Sequence, residues 1–295
     1  MIGQSLLSKI RQAPCYQIRV ARAEDGPAIE RLLSHAIHYY LALEWWTLEE
    51  WIGSSALSLA IDDHERPVGL MLAVDGDSPV AWLRAIATTA DACLPPLLKA
   101  TVQAVQDAGN TGLAFLGDDG WIVSQLQPLG FEKVKQVITL RQRGRWSVQH
   151  GPPQLQIRQA TAADLCDVTQ LDHAAFPPLW WYSHKVLQRA LDVSYCFHVA
   201  YLQGQCVGYQ FSTLVQGHAH IVRLATHPRW SQRGIGAQLL SEALLTFQAH
   251  SVTLNTQQDN LASLRLYQRF NFKRVGRPWS VWLKPLKPEN AVAVY

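Results

Sequence analysis

The stretch "HPRWSQRGIGAQLL", residues His227 to Leu240, decides the reading of this chain. Before it, His218–Thr226 reads as a strand. After it, Ile235, Leu239, Leu240, Leu244 and Phe247 recur along one face of an amphipathic helix. Gly234 and Gly236 therefore stand where a strand hands over to a helix. A helix start carries backbone N–H groups without intrahelical partners, and its dipole is positive at that end. Glycines let an anion approach the backbone closely, and Arg229 and Arg233 add charge nearby. The stretch suits a pyrophosphate, although a plain turn would use the same glycines for their φ freedom.

Outward from this stretch, Phe197–Tyr201 and Val207–Leu214 flank the turn Leu202-Gln203-Gly204-Gln205, a hairpin signal. The chain then repeats itself at a period of about 140 residues, the size of a domain. Tyr16-Gln17-Ile18-Arg19-Val20-Ala21 with Asp25 recurs as Leu155-Gln156-Ile157-Arg158-Gln159-Ala160 with Asp164. Trp45-Trp46 recurs as Trp180-Trp181, Val68-Gly69 as Val207-Gly208, and Leu129-Gly130-Phe131 as Phe270-Asn271-Phe272. Between the copies, Arg141 to Pro153 is polar and rich in Gly and Pro, and reads as a linker. The expectation is an α/β protein of two tandem domains, 1–146 and 147–295, each a mixed, mostly antiparallel sheet flanked by helices.

Composition sets the outer bounds. The 295 residues are 48% hydrophobic and 17% charged, as in a soluble globular protein. No apolar run approaches a membrane span, and the leading MIGQSLLSKIRQAP lacks the layout of a secretion signal, so a cytoplasmic protein is expected. The five cysteines are scattered, without Cys-x-x-Cys or zinc spacing, and no metal is expected. Residues 1–150 hold 13 Lys/Arg against 16 Asp/Glu, and residues 151–295 hold 13 against 7. A polyanionic ligand should prefer the second half.

Leu224-Ala225-Thr226-His227-Pro228, then Arg233-Gly234-Ile235-Gly236-Ala237, then Asn260 to Tyr267 followed by Phe270-Asn271-Phe272, resemble in order the motifs of the GNAT acyl-CoA N-acyltransferases. The resemblance covers nearly all of 155–284 and, through the repeat, extends faintly over 16–140. Tandem GNAT proteins, mycothiol synthases among them, share the two-copy layout. The resemblance implies acetyl-CoA as cosubstrate and a splayed strand whose backbone at Leu224, Ala225 and Thr226 binds the pantetheine arm and thioester. It also implies a loop and helix start at Gln232, Arg233, Gly234, Ile235, Gly236 and Ala237 that hold the pyrophosphate. Asn260 matches a cofactor-bonding asparagine and Tyr267 the tyrosine that protonates the departing thiolate. As bare residues, Asn260 is equally a helix cap and Tyr267 a packing aromatic.

The departures concern the base and the first copy. Members of the family that acetylate ribosomal proteins carry a glutamate at the position of Asn255, and no Asp or Glu lies between Asp192 and Glu242. His218 and His220 share one face of a strand just before the splay, so an imidazole, His220 ahead of His218, is the candidate base. The first copy reads Thr88-Thr89-Ala90-Asp91-Ala92-Cys93-Leu94-Pro95-Pro96 in place of the glycine loop and Leu126 in place of Tyr267, so it is expected to bind no cofactor. Phe176 to Tyr182 either line an acceptor pocket or staple the core. Lys273, Arg274 and Arg277 read as a solvated basic face, and neither nucleic acid nor membrane is an expected partner. The expected activity is acetyl transfer to a primary amine of a small molecule or peptide. The alternatives are an acyl-CoA sensor without turnover and a mycothiol-synthase-like acyltransferase.

Overall fold

The computed structural model describes residues 15–74, 78–118, 120–247 and 249–286. The leading stretch, 1–14, in which no secretion signal was expected, lies outside the described residues. Among the described residues no helix is long and apolar enough to cross a membrane.

The first half runs β1 (Gln17–Val20), α1 (Gly26–His35), β2 (His38–Leu41), β3 (Leu57–Ile61), β4 (Pro67–Val74), β5 (Val80–Thr88), α2 (Leu94–Asp107), β6 (Gly112–Leu116), α3 (Gly120–Leu126) and β7 (Glu132–Gln142). The second runs β8 (Gln156–Gln159), α4 (Leu165–Ala175), α5 (His184–Val193), β9 (Cys196–Leu202), β10 (Gln205–Val215), β11 (His218–Thr226), α6 (Ile235–Thr246), β12 (Ser251–Gln257), α7 (Leu261–Arg269) and β13 (Phe272–Pro285). The expected β9–β10 hairpin turns on Gln203 and Gly204, both left-handed at φ +53° and +75°. Arg141 and Gln142, taken for linker, belong to β7, where strand pairing outweighs their polarity. The paired motif at each half's start is retained: Arg19 forks onto Asp25 (2.6 and 2.8 Å) as Arg158 does onto Asp164 (2.8 and 2.6 Å).

The two halves share one 13-stranded sheet. Its order is β1-β3-β4-β5-β6-β13-β7-β12-β11-β10-β9-β8, with β2 beside β5. The final strands are exchanged across the divide expected at 146/147: β13 pairs with β6 of the first half, and β7 pairs with β12 of the second. Each covers an edge that would otherwise leave a row of backbone groups unpaired. Apolar side chains follow the exchange. Trp282 and Leu286 sit in the first half's core, and Ile138 and Leu140 in the second's. Burying side chains of this size contributes about 1.5–3 kcal/mol each, so the exchange ties the halves into one cooperative body.

Candidate active site

The parallel pair β11–β12 runs in register only from His218–Ile221 against Ser251–Leu254. Beyond Ile221 the strands part. On its other side β11 stays paired with β10 as far as Thr226 opposite Gly208. One edge of Leu224–Thr226 is thus left with backbone groups facing a cleft. The two glycines at the end of that strand serve different ends. Gly234 holds φ +85° as the N-cap of α6, and a Cβ there would stand 3.1 Å from the His150 carbonyl oxygen and 3.3 Å from Gly151 Cα. Gly236 is helical, and its bareness lets α6 approach the strand: a Cβ would stand 3.2 Å from Thr226 Oγ1. No side chain caps the first turn of α6, which leaves its N–H groups to a ligand or solvent. Gln232 is also left-handed, at φ +60°, and Arg233 lies over the Trp230 ring. The linker crosses this region, with Gly151 N donating to Gln238 Oε1 (2.8 Å).

One cavity of about 380 Å³ takes in Leu224, His220, Asn255, Asn260 and Tyr267. Asn260 caps α7 by accepting from Ser263 N at 3.1 Å, so the capping role is real and does not remove the residue from the cleft. Burial pushes the Tyr267 hydroxyl up to about 12, which keeps it protonated at neutral pH. His220 Nδ1 lies 2.9 Å from Thr253 Oγ1, and Thr253 Oγ1 lies 3.3 Å from the Ala219 carbonyl oxygen. With the Thr253 proton given to that carbonyl, Nδ1 is the donor and Nε2 keeps its lone pair. Burial pushes the His220 pKa down, again favouring the neutral ring. His218 is exposed at the strand's start, bonded to Ser251 and outside the residues lining the cavity. Asn255 accepts from Thr139 Oγ1 at 2.9 Å.

The corresponding gap in the first half is filled. β5 and β6 pair only over Val80–Trp82 with Gly112–Ala114. Past that point β2 takes the open edge, with His38–Leu41 opposite Thr88–Ala85. Tyr40 packs on Phe115 (4.9 Å), and His38 stacks on Trp121 (4.9 Å). The helix after β5 begins at Leu94 with Pro95 in its first turn. Leu126 is fully buried.

The wall facing the cleft rests on an ion pair that the sequence did not announce. Arg223 is bonded to Asp172 (2.6 and 2.9 Å) and to the Trp180 carbonyl (2.6 Å), and its guanidinium lies over Phe176 and Tyr182. Asp172 also accepts from Tyr209 Oη (2.5 Å) and Tyr182 N (2.8 Å). A buried pair this well satisfied fixes the Phe176–Tyr182 segment, three of whose aromatics line the cavity. From the first half, Glu44 and Trp45 enter the same cavity. The recurrence of the Trp-Trp dipeptide was the only signal that could have drawn attention to this loop.

An opened strand pair, a left-handed glycine turn and a helix start in succession are the plan of an N-acetyltransferase fold. Residues 162–272 match the model of the Acetyltransferase (GNAT) family. The second half thus carries a GNAT-family domain over those residues. An N-alpha-acetyltransferase from Sulfolobus acidocaldarius is 28% identical over 136 residues, 41% of this chain and 80% of that protein. Among solved structures, a tandem GNAT protein from the clavulanic acid biosynthesis pathway aligns with TM-score 0.61 at 12% identity, over 93% of this chain and 99% of that one. A GCN5-related N-acetyltransferase from Sphaerobacter thermophilus aligns with TM-score 0.61 at 14% identity, over 92% and 96%. At these identities the two structures speak for the fold alone.

Proposed function

We propose that this chain transfers the acetyl group of acetyl-CoA to a primary amine by direct attack on the thioester, using one site, in the second half. The observation that supports this most is the convergence of Leu224, on the free strand edge, with His220 and Tyr267 on one cavity. The groups present fit the cosubstrate. The turn and helix start at Gln232–Ala237 offer N–H groups to the pyrophosphate, and no side chain caps them. Leu224, Ala225 and Thr226 offer backbone groups to the pantetheine arm, and Asn260 an amide at its side. The chemistry acetyl-CoA supplies is an activated acyl carbon. His220 Nε2 takes the proton the amine gives up as the C–N bond forms, directly or through one water. As the C–S bond breaks, Tyr267 gives its proton to the sulfur, so the products are an amide and free CoA thiol.

A panel of amines assayed for CoA-thiol release tests this reading, beside calorimetric titration with acetyl-CoA. Turnover of at least one amine and a stoichiometry of one per chain are expected. Tight acetyl-CoA binding with no amine acetylated would favour an acyl-CoA sensor, a reading supported by the amide at Asn255, which is bonded to Thr139 and takes no proton.

A further inference from the structure

At the seam of the two halves a second cavity, of about 140 Å³, adjoins the cleft. Glu44, Leu116, Trp180, Tyr182 and Arg223 line both cavities. The smaller one is walled by Trp46, Trp51 and Trp82 from the first half and by Trp180, Trp181 and Tyr182 from the second. Its volume is close to the roughly 150 Å³ at which an apolar cavity accepts a benzene ring. Its tryptophans suit a flat or branched apolar group, and Arg84, which also lines it, lies over the Trp82 ring at 5.5 Å. Trp82 Nε1 donates to the Leu179 carbonyl (3.2 Å), so this indole is fixed in place and its polar edge is spent.

Glu44 stands where the cavities meet, and it is the only carboxylate lining either of them among the described residues. Its backbone is left-handed, at φ +56°, a conformation a non-glycine residue keeps only when its surroundings hold it. The hold is visible. Arg189 donates twice to the Trp45 carbonyl (2.8 and 3.2 Å), and the Trp45 ring packs edge-on against Phe211 (5.5 Å). Arg84 donates to one Glu44 oxygen, Oε1, at 2.8 Å. The other oxygen has no partner among the described residues. Nor has the Tyr182 hydroxyl, whose pKa is raised by burial and then by the Glu44 charge. Arg223, in contrast, is saturated by Asp172, the Trp180 carbonyl and two rings.

We infer that the acceptor is a small monoamine whose nitrogen is borne, one or two carbons away, on a single ring or an equally compact apolar group. This rests on the acetyl-transfer reading above. Glu44 Oε2 receives the ammonium and holds it at the mouth of the cleft that contains His220 and Tyr267; the nitrogen gives one proton to water before it attacks and its second to His220 as the C–N bond forms. The ring fills the tryptophan-walled cavity. One free carboxylate oxygen answers one ammonium, so a polyamine finds no second anchor. A walled cavity of this size has no place for a peptide backbone. The half of the chain that lacks a cofactor slot thus supplies the acceptor's anchor.

The test uses the full chain, with 2-phenylethylamine, ethylamine, spermidine and a peptide with an N-terminal alanine as probes. CoA-thiol release gives kcat/KM, and quenching of tryptophan fluorescence by 2-phenylethylamine gives binding without transfer. The ring is expected to raise kcat/KM over ethylamine by about 10- to 100-fold, the value of burying one such group. Glu44→Gln, with acetyl-CoA affinity retained as the check on folding, should weaken 2-phenylethylamine binding by about 10-fold or more. Val186→Phe, which narrows the cavity from α5, should erase the preference for the ring. Saturable, Glu44-dependent quenching without turnover of any amine upholds the pocket and removes the acetyl-transfer reading. Preferred turnover of spermidine or the peptide does the reverse. Quenching insensitive to both substitutions, or absent, overturns the inference outright.

Discussion

Both halves contain a parallel strand pair that separates after three or four residues, and they treat the gap in opposite ways. In the second half the edge of β11 is left open beyond Ile221, and a glycine turn delivers an uncapped helix start beside it. In the first half β2 lies along the same edge of β5 and satisfies the backbone groups an acyl chain would need, with Ile37 N donating to the Thr88 carbonyl (2.8 Å) and Ala42 N to the Arg84 carbonyl (2.7 Å). Absence of the glycine turn and closure of the gap go together in the first half, whose strand edge is satisfied internally. The closing strand then continues into Leu43-Glu44-Trp45-Trp46, which reaches the other half's cleft. The half whose gap is filled thus helps to wall the cleft of the other.

The comparison breaks most sharply at the glycine turn. Gly234→Asp sets a charged side chain against a backbone 3.1 Å away and opposes the phosphates, so acetyl-CoA binding should fall by about 100-fold or more. Thr89→Asp in the first half should leave it untouched. Calorimetry reads both, and Gly234→Ala separates steric from charge effects. Two sites per chain would end the contrast between the copies.

Tyr267→Phe removes one hydroxyl and should lower kcat by roughly 10²- to 10⁴-fold with cosubstrate affinity unchanged. Leu126→Tyr in the first half should restore nothing, and stoichiometry should remain one. An unchanged rate for Tyr267→Phe would return that side chain to packing.

His220→Ala should lower kcat/KM by about 10- to 100-fold. Because burial puts the His220 pKa below the ordinary value of about 6.5, the wild-type rate should hold through neutral pH and fall only as pH drops through that lowered pKa. In the variant this fall should disappear from the pH–rate profile. Its persistence, with His218→Ala equally silent, would leave water or the free amine as base.

The smallest expected difference lies in the twin Arg–Asp motifs. Asp164 accepts from Thr161 Oγ1 and Tyr201 Oη as well as from Arg158, bonds with no counterpart at Asp25. Asp164→Asn should therefore cost more stability than Asp25→Asn, by about 1 kcal/mol in urea titrations at pH 7. Both carboxyls are held below the usual range, chiefly by their arginines, so this stabilisation is present above pH ~4 and is lost as pH falls further. Equal costs would mean that the additional bonds contribute nothing.

The repeat, the hairpin at Gln203-Gly204, the strand–glycine–helix succession and the loss of the glycine turn from the first copy were all legible in the sequence. Each is a matter of local periodicity or of residues a few positions apart. The sequence also singled out Asn260 and Tyr267, which motif order places, and His220, which strand spacing puts just before the splay where no carboxylate is available. It did not single out Glu44, the Arg223–Asp172 pair or the β2 filling. Glu44 stands near no catalytic residue along the chain, and Arg223 and Asp172 lie 51 positions apart. Local chemistry settled which half carries a glycine turn leading into a helix start, since φ freedom, bare backbone and helix-start N–H groups belong to neighbouring residues. Only the tertiary structure settled which edges pair, through β7 joining β12 and β13 joining β6. Strand pairing goes to whichever edges remain unsatisfied when the sheets meet, and that exchange brings the tryptophans of both halves round one small cavity.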